Sequence, residues 1–271
     1  MLPSKIAEIE QFLLAKQNGI EINADSFKAA AASRPRADKR GSIAVIPVYG
    51  AVSQRMNMMQ EFSGGTSTEM LAKDIQAAAD TDSVKAIVLN IDSPGGSVYG
   101  VKELSDVIYQ AREKKHITAV SNSLSASAAY WIGTSASEFV VTPGGEVGSI
   151  GVYTAHNDFS ENLAKEGIKT TLISAGKHKV DGNPYEPLTE DSLNNIQSRV
   201  NEYYDDFVNA IARNRGVSAD AVKNGYGQGR VVGAEEAIRE NMADRIATFD
   251  EVLEKLGAKQ ANTLKARVKM I

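Results

Sequence analysis

Ser127 stands where a nucleophile belongs. It lies in SNSLSASAAYWIG, residues 121–133, between an apolar strand (117–120) and an alanine-rich helix. A strand-to-helix turn leaves a serine hydroxyl exposed, and the unpaired N–H groups at the helix start stabilise a developing oxyanion. The small side chains of Ala126, Ala128 and Ala129 let a substrate carbonyl come close. A serine is a weak nucleophile and needs a base within hydrogen-bond reach. Two candidates lie downstream. Lys179 sits in AGKHKVDG, after a predicted strand; a lysine serves as a base only when its surroundings favour the neutral amine. His156 sits in TAHND, with Asp158 or Asp181 as orienting carboxylates. Each motif also holds a rival two residues away: Ser125 for the serine and Lys177 for the lysine.

Composition removes several other chemistries. The chain has no cysteine, which excludes thiol catalysis, disulfides and thiolate metal sites. Its three histidines, His116, His156 and His178, are scattered, so neither a metal site nor a cofactor is expected. A net charge of −4 gives no footing for nucleic acid. No stretch approaches the roughly 18 apolar residues of a membrane helix, so no membrane span is expected. Lys5, Glu8 and Glu10 interrupt the apolar residues of the N-terminus, which does not read as a signal peptide; the expected place of the protein is a cytoplasm.

The elements that must position the serine follow from periodicity. Residues 1–41 read as an amphipathic helix (4–18; Ile6, Ile9 and Leu13 on one face) and a basic, mobile arm (24–41). Residues 42–257 read as the body and 258–271 as a basic tail that frays. The body opens on a strand, SIAVIPVYG. A loop with Met56, Met58, Met59 and a Gly64–Gly65 pair follows, read equally as a packed flap or as a substrate lip or subunit contact. Thr66 and Glu69 suggest a capping box for a helix to Ala79. Then strand, turn and helix repeat: strand 85–91, turn 92–97 and helix 98–114; strand 117–120, turn 121–125 and helix 127–134; strand 138–141. Residues 143–152 are glycine-punctuated and lead into a strand. A helix over 159–166, a strand over 170–173, a polar loop over 174–188 and the longest helix, 189–213, follow; its inward stripe is Ile196, Val200, Phe207 and Ile211. Short helices around a strand at 230–232 complete the body. The alternation predicts an α/β fold of parallel units, with chemistry at the carboxyl ends of strands.

Four segments in order, NIDSPGGSV, SASAAYWIG, VGSIGV and AGKHKVDGNPY followed by the helix carrying IQSRVNEYYDDFV, resemble the signal peptide peptidase A family, and especially its bacteriophage capsid (prohead) maturation protease branch. The resemblance covers residues 42–257. It implies a Clp protease/crotonase-like fold with ββα units, and a Ser-Lys peptidase in which Ser127 is the nucleophile and Lys179 the base. Ser149 orients the lysine, and the backbone of Gly95 and Gly96, with the Ala128 amide, forms the oxyanion site. Two alanines, Ala128 and Ala129, stand where the family has glycines. The apolar edge around Val98 is expected to pair with an extended peptide. The resemblance further implies a scaffold or capsid protein as substrate, a homo-oligomeric ring or dome, and a place inside an assembling procapsid in the host cytoplasm. A bacterial signal-peptide-degrading protease in the bacterial cytoplasm and a catalytically silent assembly subunit are the alternatives. A chain ending soon after the catalytic body suggests a processed or truncated form.

Overall fold

A computed structural model describes residues 37–55 and 65–257. The expected helix at 4–18, most of the arm at 24–41, the methionines of the 54–65 loop and the tail at 258–271 lie outside them. The chain divides into two compact units, residues 1–150 with 207–271, and residues 151–206.

The first unit is built on one sheet. Its main path runs β1 (Asp38–Arg40), β2 (Ile43–Tyr49), β5 (Ala86–Ser93), β6 (His116–Ala126), β7 (Glu138–Val141) and β10 (Arg245–Ile246). All neighbours on this path are parallel except β1 and β2. Strands buried on both faces read as unbroken apolar runs, as in Ile87–Val88–Leu89 of β5. On one face Ile43, Val45, Val88, Val120 and Val140 pack against Val252 and Leu253 of a C-terminal helix, Phe249–Lys255. The other face carries the helices that follow the strands: α1 (Thr68–Asp80), α2 (Val101–Ala111) and α3 (Ala128–Thr134). The edge strand β1 corrects the expected arm at its last residues. Its side chains are exposed and charged, so it reads as linker, yet its backbone pairs with β2.

β6 is the element that departs most from expectation. It runs eleven residues through the segment read as a turn. Residues 118–121 pair with β7, and Leu124–Ala126 pair with β8 (Glu146–Gly148), which in turn pairs antiparallel with β9 (Val231–Gly233). One strand therefore serves two branches of the sheet and carries the chain to residue 127. A second, two-stranded ladder, β3 (Ala51–Ser53) with β4 (Gly65–Ser67), meets the turn after β5 through a bridge from Val52 to Gly96. The expected capping box at Thr66 is not formed. Ser67 caps α1 by accepting the Met70 N–H at 3.3 Å, Thr66 donates to the Tyr49 carbonyl, and Glu69 pairs with Arg55.

The C-terminal strand is fastened by charge. Glu138 Oε1 accepts Arg245 Nε at 2.7 Å and Lys255 Nζ at 3.0 Å. Burial pushes the Glu138 carboxyl up, but the hydrogen bonds and charges of Arg245 and Lys255 outweigh it and hold the group below its usual range. A depressed carboxylate stabilises the fold above its unfolded value, about 4.3, and the contribution fades as pH falls through the folded value. Glu138→Gln is expected to cost about 1–3 kcal/mol at neutral pH and to flatten the acid limb of stability. Melting temperatures of both proteins between pH 3 and 7 check this.

The second unit holds the short helix α4 (Ser160–Lys165), a turn-rich loop and most of α5 (Glu190–Arg215), whose last nine residues belong to the first unit. Thr189 caps α5, accepting the Ser192 N–H at 3.2 Å. The expected strand at 170–173 is absent; these residues form no ladder, and Ile173 is 95% exposed. Along α5, Phe207 and Ile211 are buried as expected, whereas Ile196 and Val200 are only half-buried.

Candidate active site

Ser127 follows β6 directly and is the N-cap of α3. Its backbone sits at φ 54°, ψ −125°. That conformation is strained for a residue with a Cβ, and such strain persists only where the surroundings enforce it. Three restraints do so here. The Ser127 N–H donates to the Gly148 carbonyl at 2.8 Å, its carbonyl accepts the Trp131 N–H at 3.1 Å, and Gly95 is packed against its Cβ. The result is a sharp turn with residue 127 at its apex, 7% exposed. Ala128 is the first residue of α3, so its N–H lies outside the intrahelical ladder.

α3 is held from several sides. Trp131 stacks on Phe207 at 4.8 Å between centroids, and Tyr130 meets Phe139 edge-on at 5.5 Å. The Tyr130 hydroxyl donates to the Met242 carbonyl at 2.9 Å, and burial pushes this phenol well above its ordinary range. Beyond its last turn, Ser135 Oγ lies 2.7 Å from Ser105 Oγ and accepts from Asn214 Nδ2 at 3.0 Å. This polar cluster was not foreseen. Its members are far apart in sequence and individually unremarkable in type.

The turn after β5 supplies the second wall. Gly95 (φ 87°) lies so close to the serine that a Cβ there would stand 2.7 Å from Ser127 Cβ and 3.0 Å from the Ala128 nitrogen. A Cβ on Gly96 would run into the Val52 backbone. Both glycines are therefore required by close approach, and the spacing of SPGG carries that requirement visibly. The amides differ. Gly95 N–H points to Ser93 Oγ at 3.2 Å, so Gly95 lines the site with its Cα rather than its N–H. Val98 is half-buried in the bend before α2, and its carbonyl accepts the Val101 N–H at 3.3 Å.

Ser149 follows Gly148, whose carbonyl holds the serine amide. It too has a positive φ, 55°, and its N–H donates to Arg230 O at 2.7 Å. Thus Gly95, Gly96, Ser127, Ala128 and Ser149 are gathered around the end of β6. The rival Ser125 is fully enclosed, and its hydroxyl has no hydrogen-bond partner. Access favours Ser127. Removing a buried, unsatisfied hydroxyl forfeits no bond, so Ser125→Ala is expected to retain wild-type activity and to hold or raise stability by up to about 1 kcal/mol. Enzyme assay and thermal melting check both.

Lys179 belongs to the second unit, on a loop of successive turns. Its N–H donates to Gly176 O at 3.1 Å. The loop is pinned by His178 Nδ1, 3.0 Å from Asp181 Oδ2, and by Asn183 Nδ2, which donates to Val180 O at 2.9 Å. His156 Nε2 lies 2.8 Å from Asn183 O, a contact that makes it a donor. Its two suggested orienters are engaged elsewhere: Asp158 accepts the Ser160 N–H, and Asp181 pairs with His178. Hydrogen bonds from Ser160 hold Asp158 below its usual range. His156 therefore rests against the lysine loop through the Asn183 carbonyl. Among the described residues no cluster of His, Asp and Glu is arranged to hold a metal ion, and no helix is long and apolar enough to cross a membrane.

Comparison with known proteins gives the family. The model of peptidase family S49 matches residues 109–263. The capsid assembly protease C of Escherichia phage lambda is 34% identical over 211 residues, covering 78% of this chain and 48% of the relative. The head-tail preconnector protein GP5 of Enterobacteria phage P21 is 33% identical over 211 residues, 78% of this chain and 42% of the relative. Protease 4 of Salmonella typhi is 27% identical over 254 residues, 92% of this chain and 40% of the relative. The chain spans half or less of the length of these relatives. With more than half its residues matched by the family model, the chain belongs to peptidase family S49.

Proposed function

We infer that the chain is a serine endopeptidase with a Ser127–Lys179 dyad, cleaving scaffold or capsid proteins, itself included, during assembly of a phage head. The observation that carries this reading is the backbone of Ser127, held at positive φ at the start of α3 with Gly95 packed against it. A strained serine at a helix start, walled by glycine, suits attack on a carbonyl whose oxygen meets backbone N–H groups. The names of the lambda and P21 relatives support the setting. We place the first unit in the Clp/crotonase-like class with ββα units, and the protein in a homo-oligomeric ring or dome inside the procapsid in the host cytoplasm.

In the reaction, Lys179, oriented by Ser149, takes the proton of Ser127 Oγ as the oxygen attacks the peptide carbonyl. The amides of Gly96 and Ala128 receive the oxyanion. The lysine then protonates the leaving amine, and water releases the acyl group from Ser127. Loss of one oxyanion donor costs about 3 kcal/mol of barrier. Val98 flanks the path of an extended peptide.

The test co-expresses the chain with its neighbouring scaffold or capsid protein and reads cleavage by mass spectrometry. Ser127→Ala and Lys179→Arg are expected to stop cleavage; the guanidinium stays protonated and cannot act as a base. General-base loss alone is worth about 10²–10⁴-fold. His156→Ala is expected to cleave. Activity in Lys179→Arg with none in His156→Ala would move the base to the histidine. A wild-type chain that neither cleaves nor reacts with a serine-directed phosphonate would be a silent assembly subunit.

A further inference from the structure

The end of β5 carries a buried hydroxyl that no step above uses. Ser93 is wholly enclosed. Its Oγ donates to the Gly50 carbonyl at 2.6 Å and accepts the Gly95 N–H at 3.2 Å. One side chain thus ties the link between β2 and β3 to the glycine that presses on Ser127. It sits where the register of β5 against β6 shifts, between Ile91 and Ser93. A strand leaving a sheet at such an irregularity has lost part of its ladder, and a side-chain hydroxyl replaces the missing restraint.

The peptide that follows is fixed from the other side. The Gly95 carbonyl accepts the Val52 N–H at 3.0 Å, and the Ser97 N–H donates to Val52 O at 2.9 Å. The Gly95–Gly96 peptide is planar and trans, so its carbonyl and N–H point in opposite directions. With the carbonyl held by Val52, the Gly96 N–H is directed away from β3. With the Gly95 N–H held by Ser93, the Cα of Gly95 keeps its place against Ser127 Cβ and the Ala128 nitrogen.

We propose that Ser93 is a positioning residue: its hydroxyl holds the Gly95 amide out of the oxyanion site and so sets the peptide plane that presents the Gly96 amide to the reacting carbonyl. This rests on Ser127 being the nucleophile. The hydroxyl touches no reacting atom. It acts by fixing a donor, and a donor misplaced by about 1 Å costs about 10²-fold in rate. The effect falls on the transition state, because the oxyanion exists only there.

The test compares the wild-type chain with Ser93→Ala, Ser93→Thr, Ser93→Cys and Ser127→Ala. Four quantities are read: kcat and KM on a fluorogenic peptide that the wild type cleaves, the affinity of a peptidyl aldehyde, and the melting temperature. The aldehyde carbon bonds to the serine oxygen, the serine proton passes to the base, and the resulting oxyanion needs the same donors. Ser93→Ala is expected to lower kcat about 30–100-fold with KM within about twofold, and to weaken the aldehyde by a similar factor. Ser93→Thr, which keeps the hydroxyl, is expected to recover most of both. Should Ser93→Ala not fold, Ser93→Cys, with a weak thiol donor of similar size, is expected to lose kcat and aldehyde affinity in the same proportion. A folded Ser93→Ala or Ser93→Cys protein with unchanged kcat, or with the loss confined to KM, overturns the proposal. Cleavage that persists in Ser127→Ala overturns instead the nucleophile on which the proposal rests.

Discussion

Ser127→Gly is expected to abolish peptide cleavage and to raise the melting temperature. The two effects share one cause. At φ 54°, ψ −125° a Cβ is crowded by its own backbone, whereas glycine adopts the conformation without penalty. Relief of such strain is worth about 1–3 kcal/mol. Against this stands the greater freedom of glycine in the unfolded chain, about 0.5–1 kcal/mol. The balance, about 0–2.5 kcal/mol, converts at about 2–4 °C per kcal/mol for a domain of this size. Ser127→Ala removes the same oxygen but keeps the Cβ, so it is expected to be equally inactive without the gain. Loss of a nucleophile that acts as a unit with its base lowers kcat by about 10⁴-fold or more. Thermal melts of the three proteins, with turnover on one peptide, decide the matter. A glycine variant melting below wild type would remove the strain argument, and one that still cleaves would remove the nucleophile.

The segments that carried the site in the sequence are those whose constraint is local. SPGG must have glycine at 95 and 96 because backbone approaches from Val52 and Ser127 leave no space for a Cβ, and a pair of glycines after an apolar run announces such an approach. The strands at 85–91, 117–120 and 138–141 were legible because burial on both faces demands continuous apolar residues. Residues 121–125 were misread for the opposite reason. Their small polar side chains favour a turn by type, and only the distant strand β8, pairing at Leu124–Ala126, extends β6 through them. The same holds for Ser93 and for the Ser105–Ser135–Asn214 cluster. A serine in a strand end or a helix carries no local mark of the partner it will meet dozens of residues away. Thr66 shows a competition that type alone cannot settle. It has the right spacing to Glu69, but its hydroxyl goes to the Tyr49 carbonyl and its neighbour Ser67 takes the cap.

Gly95→Ala is expected to inactivate the enzyme far beyond its effect on stability. At φ 87° an alanine is strained whatever the space, by about 1–3 kcal/mol. The space is also missing. The added Cβ would stand 2.7 Å from Ser127 Cβ, 2.7 Å from the Ala126 carbonyl oxygen and 3.0 Å from the Ala128 nitrogen. None of these atoms is the end of a flexible side chain, so none can swing aside, and overpacking adds about 1–3 kcal/mol. The sum of about 2–6 kcal/mol leaves a fraction of the protein folded at low temperature. In that fraction the displaced atoms are the serine, the Ala128 amide and the turn bearing Gly96, so the loss of rate compounds. A misplacement of about 1 Å costs about 10²-fold, and a lost oxyanion donor a further 10²–10³-fold. Gly41→Ala is the control. It too has a positive φ, 64°, but open space around its Cβ. It is expected to pay only the backbone cost and to keep its turnover per folded molecule. Activity at 10 °C, normalised to the folded fraction from circular dichroism, separates the two. Equal turnover in the two variants would mean that the contact between Gly95 and Ser127 does not shape the site.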